Sequence, residues 1–173
     1  MNPTHELIRQ AKAGDVHAFA LLYRSVYKDL YRFALYTLQH PQDAEDVVSE
    51  TVLDAFAQIR MLREDGAFHS WIFRILSNKC RRRIRDYIDP PVDLDAMTET
   101  QAASAHKAEG DLSVQTDVRR AFAALPEDDR LILALNLFAG YSSQEIGEQL
   151  DMNPNTVRSR QSRALKKLEQ MLS

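Results

Sequence analysis

The sequence is poor in cysteine, glycine and proline, and these shortages exclude several classes of structure. Its 173 residues include a single cysteine, Cys80, so an internal disulfide is excluded, and no second cysteine or paired histidine stands at the spacing of a zinc site. Five glycines and six prolines are about half the usual share, which favours helices. We therefore expect an all-α protein with no metal and no cofactor.

Long apolar runs are also missing. No stretch approaches the roughly 20 apolar residues that span a bilayer, and the first residues lack the basic and apolar segments of a signal peptide. The composition, 45% hydrophobic and 27% charged, is that of an ordinary globular protein. We expect a soluble chain that does not insert into a membrane and stays in the cytoplasm where it is made.

Charge is unevenly distributed along the chain, although the net charge is only −3. Six basic and no acidic residues lie between Arg74 and Arg85, and five basic residues against one glutamate lie between Pro154 and Ser173. The segment 89–112 carries one basic and six acidic residues. Two basic segments thus flank an acidic one. Nucleic acid is therefore still a candidate partner, although the negative net charge argues against it.

Segment 89–112 is predicted to be a flexible linker, because Pro90-Pro91 prevents a helix from continuing and few large apolar residues follow. The linker separates two predicted domains, 1–88 and 113–173, of four helices each. Periodicity, caps and breakers predict helices at about Thr4–Ala13, from Asp15 as cap to Leu38, Pro41–Ile59, Ala67–Ile88, Ser113–Leu125, Pro126–Ala139, from Ser142 as cap to Leu150, and from Asn153 as cap to the C-terminus.

The last predicted helix has an apolar and a polar face. A short helix with a Ser142–Glu145 capping box, a three-residue turn and a basic helix are typical of a helix-turn-helix, whose second helix enters the major groove. A solvated terminal helix would explain the charge run alone, but the turn, caps and phasing together favour DNA binding. The apolar face holds Val157, Ala164, Leu165, Leu168, Met171 and Leu172; the polar face holds Asn155, Thr156, Arg158, Ser159, Arg160, Ser162, Arg163, Lys166 and Lys167.

The fourth predicted helix carries a second polar stripe opposite its core face. Trp71 lies at the boundary of the two stripes, where an indole either packs into the core or offers a stacking surface to an unpaired base. The core face holds Phe68, Trp71, Ile72, Ile75 and Leu76, and the polar stripe holds Ser70, Arg74, Ser77, Asn78, Arg81 and Arg85.

The third predicted helix is rich in carboxylates, with Asp46, Glu50 and Asp54 on one side. A catalytic or metal-binding role is disfavoured, because no histidine stands at ligand spacing among them and nothing that buries or pairs them is apparent. We expect a protein without enzymatic activity in which this side is a docking face for a basic partner.

Three segments resemble the extracytoplasmic-function (ECF) sigma factors of bacterial RNA polymerase. Asp43 to Thr51 is similar to their region 2.2, with Ser49 where glutamine is usual, and Phe68 to Asn78 is similar to their region 2.3. Leu125 to Glu127, Gly140 to Ser142 and Thr156 to Arg160 resemble region 4. The resemblance implies a four-helix region 2 and a four-helix region 4 that contains the helix-turn-helix.

The resemblance also implies partners and site residues. The implied partners are core RNA polymerase, through its beta-prime and beta subunits, promoter DNA and an anti-sigma factor. The resemblance assigns core-enzyme binding to Asp46, Ser49 and Glu50. It assigns binding of the melted minus-ten element to Arg63, Phe68, His69, Trp71, Arg74, Asn78 and Arg81. It assigns binding of the duplex minus-thirty-five element to Asn155, Thr156, Arg158, Ser159, Ser162, Arg163 and Lys166.

Two departures from the family pattern matter. Asp54 stands where many members have a basic residue near the melted strand, and Asp151 replaces a glycine in the helix-turn-helix turn. The acidic linker either passes through a basic channel or merely tethers the two domains. The alternative function is a dimeric helix-turn-helix regulator, which has no need of the region 2 motifs. A third possibility, that this chain is itself an anti-sigma factor, is disfavoured, because the chain lacks a His and Cys zinc motif and a membrane span.

Overall fold

The computed structural model describes residues 3–90 and 112–173, with side chains from 117 onward in the second range, and these residues form eight α-helices and no strand. The predicted all-α class is confirmed, and each predicted helix is present with bounds shifted by two residues or fewer. Two short 3-10 helices, Ile59–Met61 and Asp65–Ala67, connect the third α-helix to the fourth. In chain order the α-helices are α1 (Pro3–Lys12), α2 (Val16–Leu38), α3 (Pro41–Gln58), α4 (Phe68–Ile88), α5 (Leu112–Ala123), α6 (Glu127–Leu137), α7 (Ser143–Leu150) and α8 (Pro154–Leu172).

The predicted caps form as hydrogen bonds. The Asp15 carboxylate accepts from two backbone N–H groups at the start of α2. Ser142 and Glu145 make both bonds of a capping box at α7, and the Asn153 side chain accepts from the backbone N–H of Asn155 at α8. Each cap satisfies N–H groups that lack an intrahelical partner, so these helices begin where the sequence says they should.

Helix α2 runs through the centre of the fold and packs against α1, α3 and α4. Its predicted apolar stripe is buried along its whole length. Phe33 meets Phe73 of α4 with ring centroids 5.7 Å apart, and Cys80 of α4 lies in the same core. The buried residues of the α2 stripe are Phe19, Leu22, Val26, Leu30, Phe33 and Thr37.

The two halves of the chain share apolar cores rather than packing separately. Tyr36 of α2 lies in a cluster with Phe122 of α5 and Phe138 after α6, at ring-centroid distances of 5.2 and 5.4 Å. The largest cluster joins α1 to α4 with Leu131, Ile132 and other residues of the C-terminal half. The domain boundaries stay a prediction, and most of the predicted linker lies outside the described residues.

Two arginines of the C-terminal half reach the C-terminal end of α2. Arg119 donates to the Gln39 carbonyl at 3.1 Å, and Arg130 donates to the Thr37 carbonyl at 3.3 Å. The last carbonyls of a helix have no intrahelical donor, and the helix dipole favours positive charge there. The two halves are thus joined by polar as well as apolar contacts. Among the described residues no helix is long and apolar enough to cross a membrane.

Candidate nucleic-acid interface

The first surface is the α8 basic face, the seven residues predicted to read duplex DNA. All seven are exposed, whereas Val157, Ala164 and Leu168 on the opposite side are buried. The Arg158 guanidinium donates to the Asn155 side-chain oxygen, and the pair lies at the beginning of the helix, where a recognition helix meets base edges. The α8 basic face comprises Asn155, Thr156, Arg158, Ser159, Ser162, Arg163 and Lys166.

Two details of α8 differ from the phasing. Arg160 does not project with the other donors, because its guanidinium reaches α6 and lies 3.7 Å from Asp128 and 3.6 Å from Asp129. Met171 and Leu172 are exposed rather than packed, since α8 continues for one turn past Leu168, its last buried residue. Arg160 therefore pairs α8 with α6, and the remaining donors are the ones that stay predicted to face DNA.

Gly147 is a residue that sequence reasoning missed. It is buried in α7, and an added Cβ there would lie 2.6 Å from the Met152 carbonyl oxygen, far inside van der Waals contact. Asp151 holds the turn in the left-handed region at φ 57°, and the Met152 N–H donates to the Gly147 carbonyl at 2.8 Å. One signal was available: Gly147 is the only glycine inside a predicted helix, where glycine is costly unless packing requires it.

The second surface is the α4 polar face, Ser70, Arg74, Ser77, Asn78, Arg81 and Arg85. Arg74, Asn78 and Arg85 are exposed, but Ser77 is fully buried. Phe68 was assigned to DNA and is only 4% exposed, so this assignment is corrected: the ring packs in the core instead. His69 is exposed and lies on Phe73, with ring centroids 4.7 Å apart.

A groove of about 390 Å³ runs beside the α4 polar face. Arg63, Trp71 and Arg74 of the N-terminal half line this groove, so three residues that were predicted to capture melted DNA lie close together. Trp71 is half-buried, packs against the core and still lines the groove, and its stacking on an unpaired base stays a prediction. Tyr141, Glu145, Glu148 and Gln149 of the C-terminal half also line the groove.

The third surface lies on α3, where the carboxylates are paired more than the sequence indicated. Lys79 lies 2.7 Å from Asp54 and 3.9 Å from Glu50, and Arg83 lies 3.1 Å from Asp43 and 3.6 Å from Glu50. The expectation that nothing pairs these carboxylates was therefore wrong. Two cations of α4 bind α3 instead of facing outward.

Asp46 and Ser49 lie beside two exposed apolar residues that sequence reasoning did not single out. Leu53 is 70% exposed and Phe56 is 41% exposed. At 100° per residue both fall within the same third of the α3 surface as Asp46 and Ser49. We call these four residues the α3 docking face. The missed signal was the presence of large apolar side chains on the side of the helix that carries the acids.

Comparison with known proteins identifies relatives of both halves. Residues 22–87 match the family described as sigma-70 region 2, and residues 115–168 match sigma-70, region 4. The chain is 30% identical to the ECF RNA polymerase sigma factor SigM of Mycobacterium tuberculosis, over 96% of this chain and 83% of that protein. It is 29% identical to the ECF RNA polymerase sigma factor SigW of Bacillus subtilis, over 95% and 94%.

A solved structure shares the fold over most of the chain. The sigma factor RpoE of Bartonella quintana, in a co-crystal with the anti-sigma factor NepR, superposes with a TM-score of 0.70 at 26% identity. The match covers 91% of this chain and 98% of that one. The likeness therefore extends across both halves and is not limited to the helix-turn-helix.

Proposed function

This chain belongs to the ECF sigma factors of the sigma-70 family, and we propose that its three surfaces divide the work of promoter recognition among core polymerase, melted DNA and duplex DNA. It is an RNA polymerase sigma factor that recognises promoters and directs the initiation of transcription. Its family is not one of catalytic enzymes. The observation that carries the proposal is the presence in one chain of an acidic–apolar docking face and two basic surfaces on different helices.

The α3 docking face binds the core enzyme, through the beta-prime subunit. Leu53 and Phe56 offer apolar area that no other part of the described chain covers completely, and Asp46 and Ser49 supply a polar edge. An apolar centre with a polar rim is the usual anatomy of a protein interface. Glu50 supports the face from beside it, because Lys79 and Arg83 hold its carboxylate.

Charge reversal at Asp46 is expected to weaken binding to core polymerase by at least about tenfold, because it sets like charges against each other at the interface. Asp46→Arg is preferred to Glu50→Arg, since a cation at position 50 would also repel Lys79 and Arg83. Asp86→Arg makes the same charge change at an exposed site of α4 and is the matched control. A pull-down measures the effect, and undiminished binding by folded Asp46→Arg would overturn the assignment.

The α4 polar face and the adjacent loop bind the melted minus-ten strand. Arg63 and Arg74 supply phosphate contacts, Asn78 supplies an amide for a base edge, and Trp71 supplies a stacking surface. Arg81 lies on the same face of α4, and His69 lies in the first turn of the helix. Lys79 and Arg83 are excluded from this role because their charges are paired with α3.

Asn78→Ala is expected to slow open-complex formation on a duplex promoter about fivefold, the value of one hydrogen bond of roughly 1 kcal/mol. The effect should be much smaller on a pre-melted template, which serves as the control because strand separation is already complete. Permanganate footprinting at matched holoenzyme occupancy reads out the melted bases. Coincident footprints of the wild type and the variant on duplex DNA would contradict the assignment.

The α8 basic face reads the minus-thirty-five element in the major groove, with Arg158 and Arg163 as base-reading residues and Lys166 on phosphate. The exposure of all seven residues and the burial of the opposite side support this geometry. A dimeric regulator is the alternative function, but it does not account for the match of residues 22–87 to sigma-70 region 2. Run-off transcription with purified core polymerase on a promoter library tests the choice, because a regulator alone would not enable core polymerase, which lacks a sigma factor, to initiate at promoters.

An anti-sigma factor is a proposed partner as well. The structure of the Bartonella quintana relative contains one, and that relative shares the fold over nearly its whole length. RNA polymerase works in the bacterial cytoplasm, which is the compartment we propose for this chain. Co-purification of the chain with a small protein from its own host would test the partner assignment.

A further inference from the structure

The connection between α3 and α4 contains a short stretch that lies between two buried residues. Leu62 is 5% exposed and Phe68 is 4% exposed, and both belong to the largest apolar cluster. We call the residues between them, Arg63 to Ala67, the 63–67 loop. Arg63, Glu64 and Ala67 line the groove beside α4, so the loop forms part of the groove that is assigned to melted DNA.

A lysine of α1 bonds to the middle of the 63–67 loop. The Lys12 ammonium donates to the Asp65 carboxylate at 2.8 Å, although the two residues are 53 positions apart in the sequence. The side chains are 23% exposed for Lys12 and 25% exposed for Asp65, so water screens this pair less than it screens a surface ion pair. The pair therefore ties the loop to a helix that carries no residue assigned to DNA.

Helix α1 is a firm support for this contact. Ile8 is fully buried and Ala11 is 2% exposed, so α1 is held in the core by its apolar side. The backbone N–H groups of residues 13–15 donate back to carbonyls of α1 at 3.0 to 3.1 Å, which fixes the end of the helix. Helix α1 also packs against both 3-10 helices of the connection. A bond to Lys12 therefore restricts the movement of the loop.

Asp65 lies among cations of α1. The hydrogen bond from Lys12 holds the pKa of the Asp65 carboxyl below its usual range, and the charges of Lys12, His5 and Arg9 act in the same direction. Asp65 is therefore ionised at working pH, and the pair is charged when DNA is bound. Lys12 thus acts on the loop by geometry and by charge. These two effects have opposite consequences when Asp65 is removed.

We propose that Lys12 is a positioning residue for the minus-ten element: by holding Asp65 it fixes the 63–67 loop, and with it Arg63, in the geometry that selects bases of the melted strand. The proposal rests on the assignment of Arg63 and the groove to that strand. Recognition needs groups held to within about 0.5 Å of their working geometry, and an exposed loop keeps such precision when a second contact supports it. Helix α1 thereby contributes to promoter specificity without touching DNA.

The first experiment measures the loop in the free full chain. Lys12→Met keeps an apolar stem and removes the charge. The Ala67 N–H donates to the Glu64 carbonyl at 3.0 Å within the loop, so amide hydrogen exchange at Ala67, followed by NMR, reports opening of the loop. Exchange at Ala67 should be about 3- to 10-fold faster in Lys12→Met, with no change at buried Leu76 of α4. Equal exchange at Ala67 in variant and wild type would show that Lys12 does not hold the loop.

The second experiment is promoter selection with randomised minus-ten and minus-thirty-five elements, using the full chain and purified core polymerase. Lys12→Met and Asp65→Ala should each lower the base preference at one or two minus-ten positions by about 3- to 10-fold and leave the minus-thirty-five preference unchanged. Lys12→Arg keeps a cation on a long stem and should retain the wild-type preference. Lys28→Met removes a lysine from an exposed site of α2 and is the matched control.

A purely electrostatic role gives a different result. Loss of the Lys12 ammonium would then oppose DNA binding and loss of the Asp65 carboxylate would favour it, because DNA phosphates are negative. Open-complex yields of Lys12→Met and Asp65→Ala that move in opposite directions, with base preference unchanged, would overturn the positioning role. An equal loss of preference at both promoter elements would also overturn it, since general destabilisation has that effect.

Arg63→Ala in the same selection separates this proposal from the assignment on which it rests. If Arg63→Ala changes the minus-ten preference and Lys12→Met does not, the positioning role fails while the assignment of the loop to melted DNA stands. If Arg63→Ala leaves the minus-ten preference unchanged, the assignment of Arg63 fails, and the proposal fails with it. Changes at the same minus-ten positions in both variants are the result that we expect.

Discussion

Replacing Gly147 by alanine is expected to destabilise the helix-turn-helix and to abolish use of the minus-thirty-five element. The added methyl group would lie 2.6 Å from the Met152 carbonyl oxygen and 3.4 Å from the Pro154 nitrogen. Both atoms belong to the backbone that leads into α8, so the clash cannot be relieved by a side-chain rotation. Overpacking of this kind costs about 1–3 kcal/mol, and it moves α8 relative to α7.

The matched control is Gly66→Ala. At Gly66 an added Cβ would meet only the His5 imidazole at 3.8 Å, an ordinary contact, and the backbone there does not need glycine. Thermal melting of both variants and transcription from promoters with and without an upstream element separate the effects. If Gly147→Ala melts with the wild type and still depends on the upstream element, the close approach at this turn has been misjudged.

Arg158→Ala is expected to weaken upstream duplex recognition by about 1–3 kcal/mol, or roughly 5- to 150-fold, and to relax base preference at one position. Arg158 is exposed near the beginning of α8 and keeps its guanidinium beside Asn155. Promoter selection with a randomised upstream element, run with wild type and variant in parallel, gives the sequence preference of each. Bases preferred in the melted segment should not change, because α4 reads them.

Lys166→Ala is the comparison for Arg158→Ala. Lys166 is exposed two turns further along the same face, and a phosphate contact should weaken binding to all sequences alike and lower the salt dependence by about one counterion. The two variants thus separate base reading from backbone binding. Identical sequence preferences from wild type and Arg158→Ala would show that this arginine does not read bases.

Local sequence rules predicted the helices well because each boundary carries its own chemistry. Asp15, Ser142 and Asn153 act through bonds to N–H groups within three residues, so their effect is legible without any tertiary information. The φ of 57° at Asp151 follows from the need to end α7 and restart at Asn153 within three residues. The α2 stripe was equally legible, because burial on one side imposes its period on the sequence.

Contacts between distant segments could not be read in the same way. Helical phase alone placed Ser77 and Arg160 among the outward polar residues. In the structure Ser77 accepts a hydrogen bond from Gln149, 72 residues away, and Arg160 pairs with Asp128 and Asp129, about 30 residues away. The pairing of Lys79 and Arg83 with α3 is another case, since helical phase states a direction and not a neighbour. The sequence therefore indicated the three surfaces but not which of their charges are already neutralised.

Tyr36 of α2 completes the aromatic cluster of the C-terminal half. The residues that match sigma-70 region 2 and those that match region 4 therefore share this core. Heat should accordingly unfold the free chain in one cooperative transition. Any separation of the halves would return Tyr36, Phe122 and Phe138 to water unless another surface covered them, which would raise the heat capacity. Formation of the docking interface lowers it. Holoenzyme assembly that separated the halves would therefore have a heat-capacity change less negative than the buried docking area alone implies, the signature of binding coupled to partial unfolding.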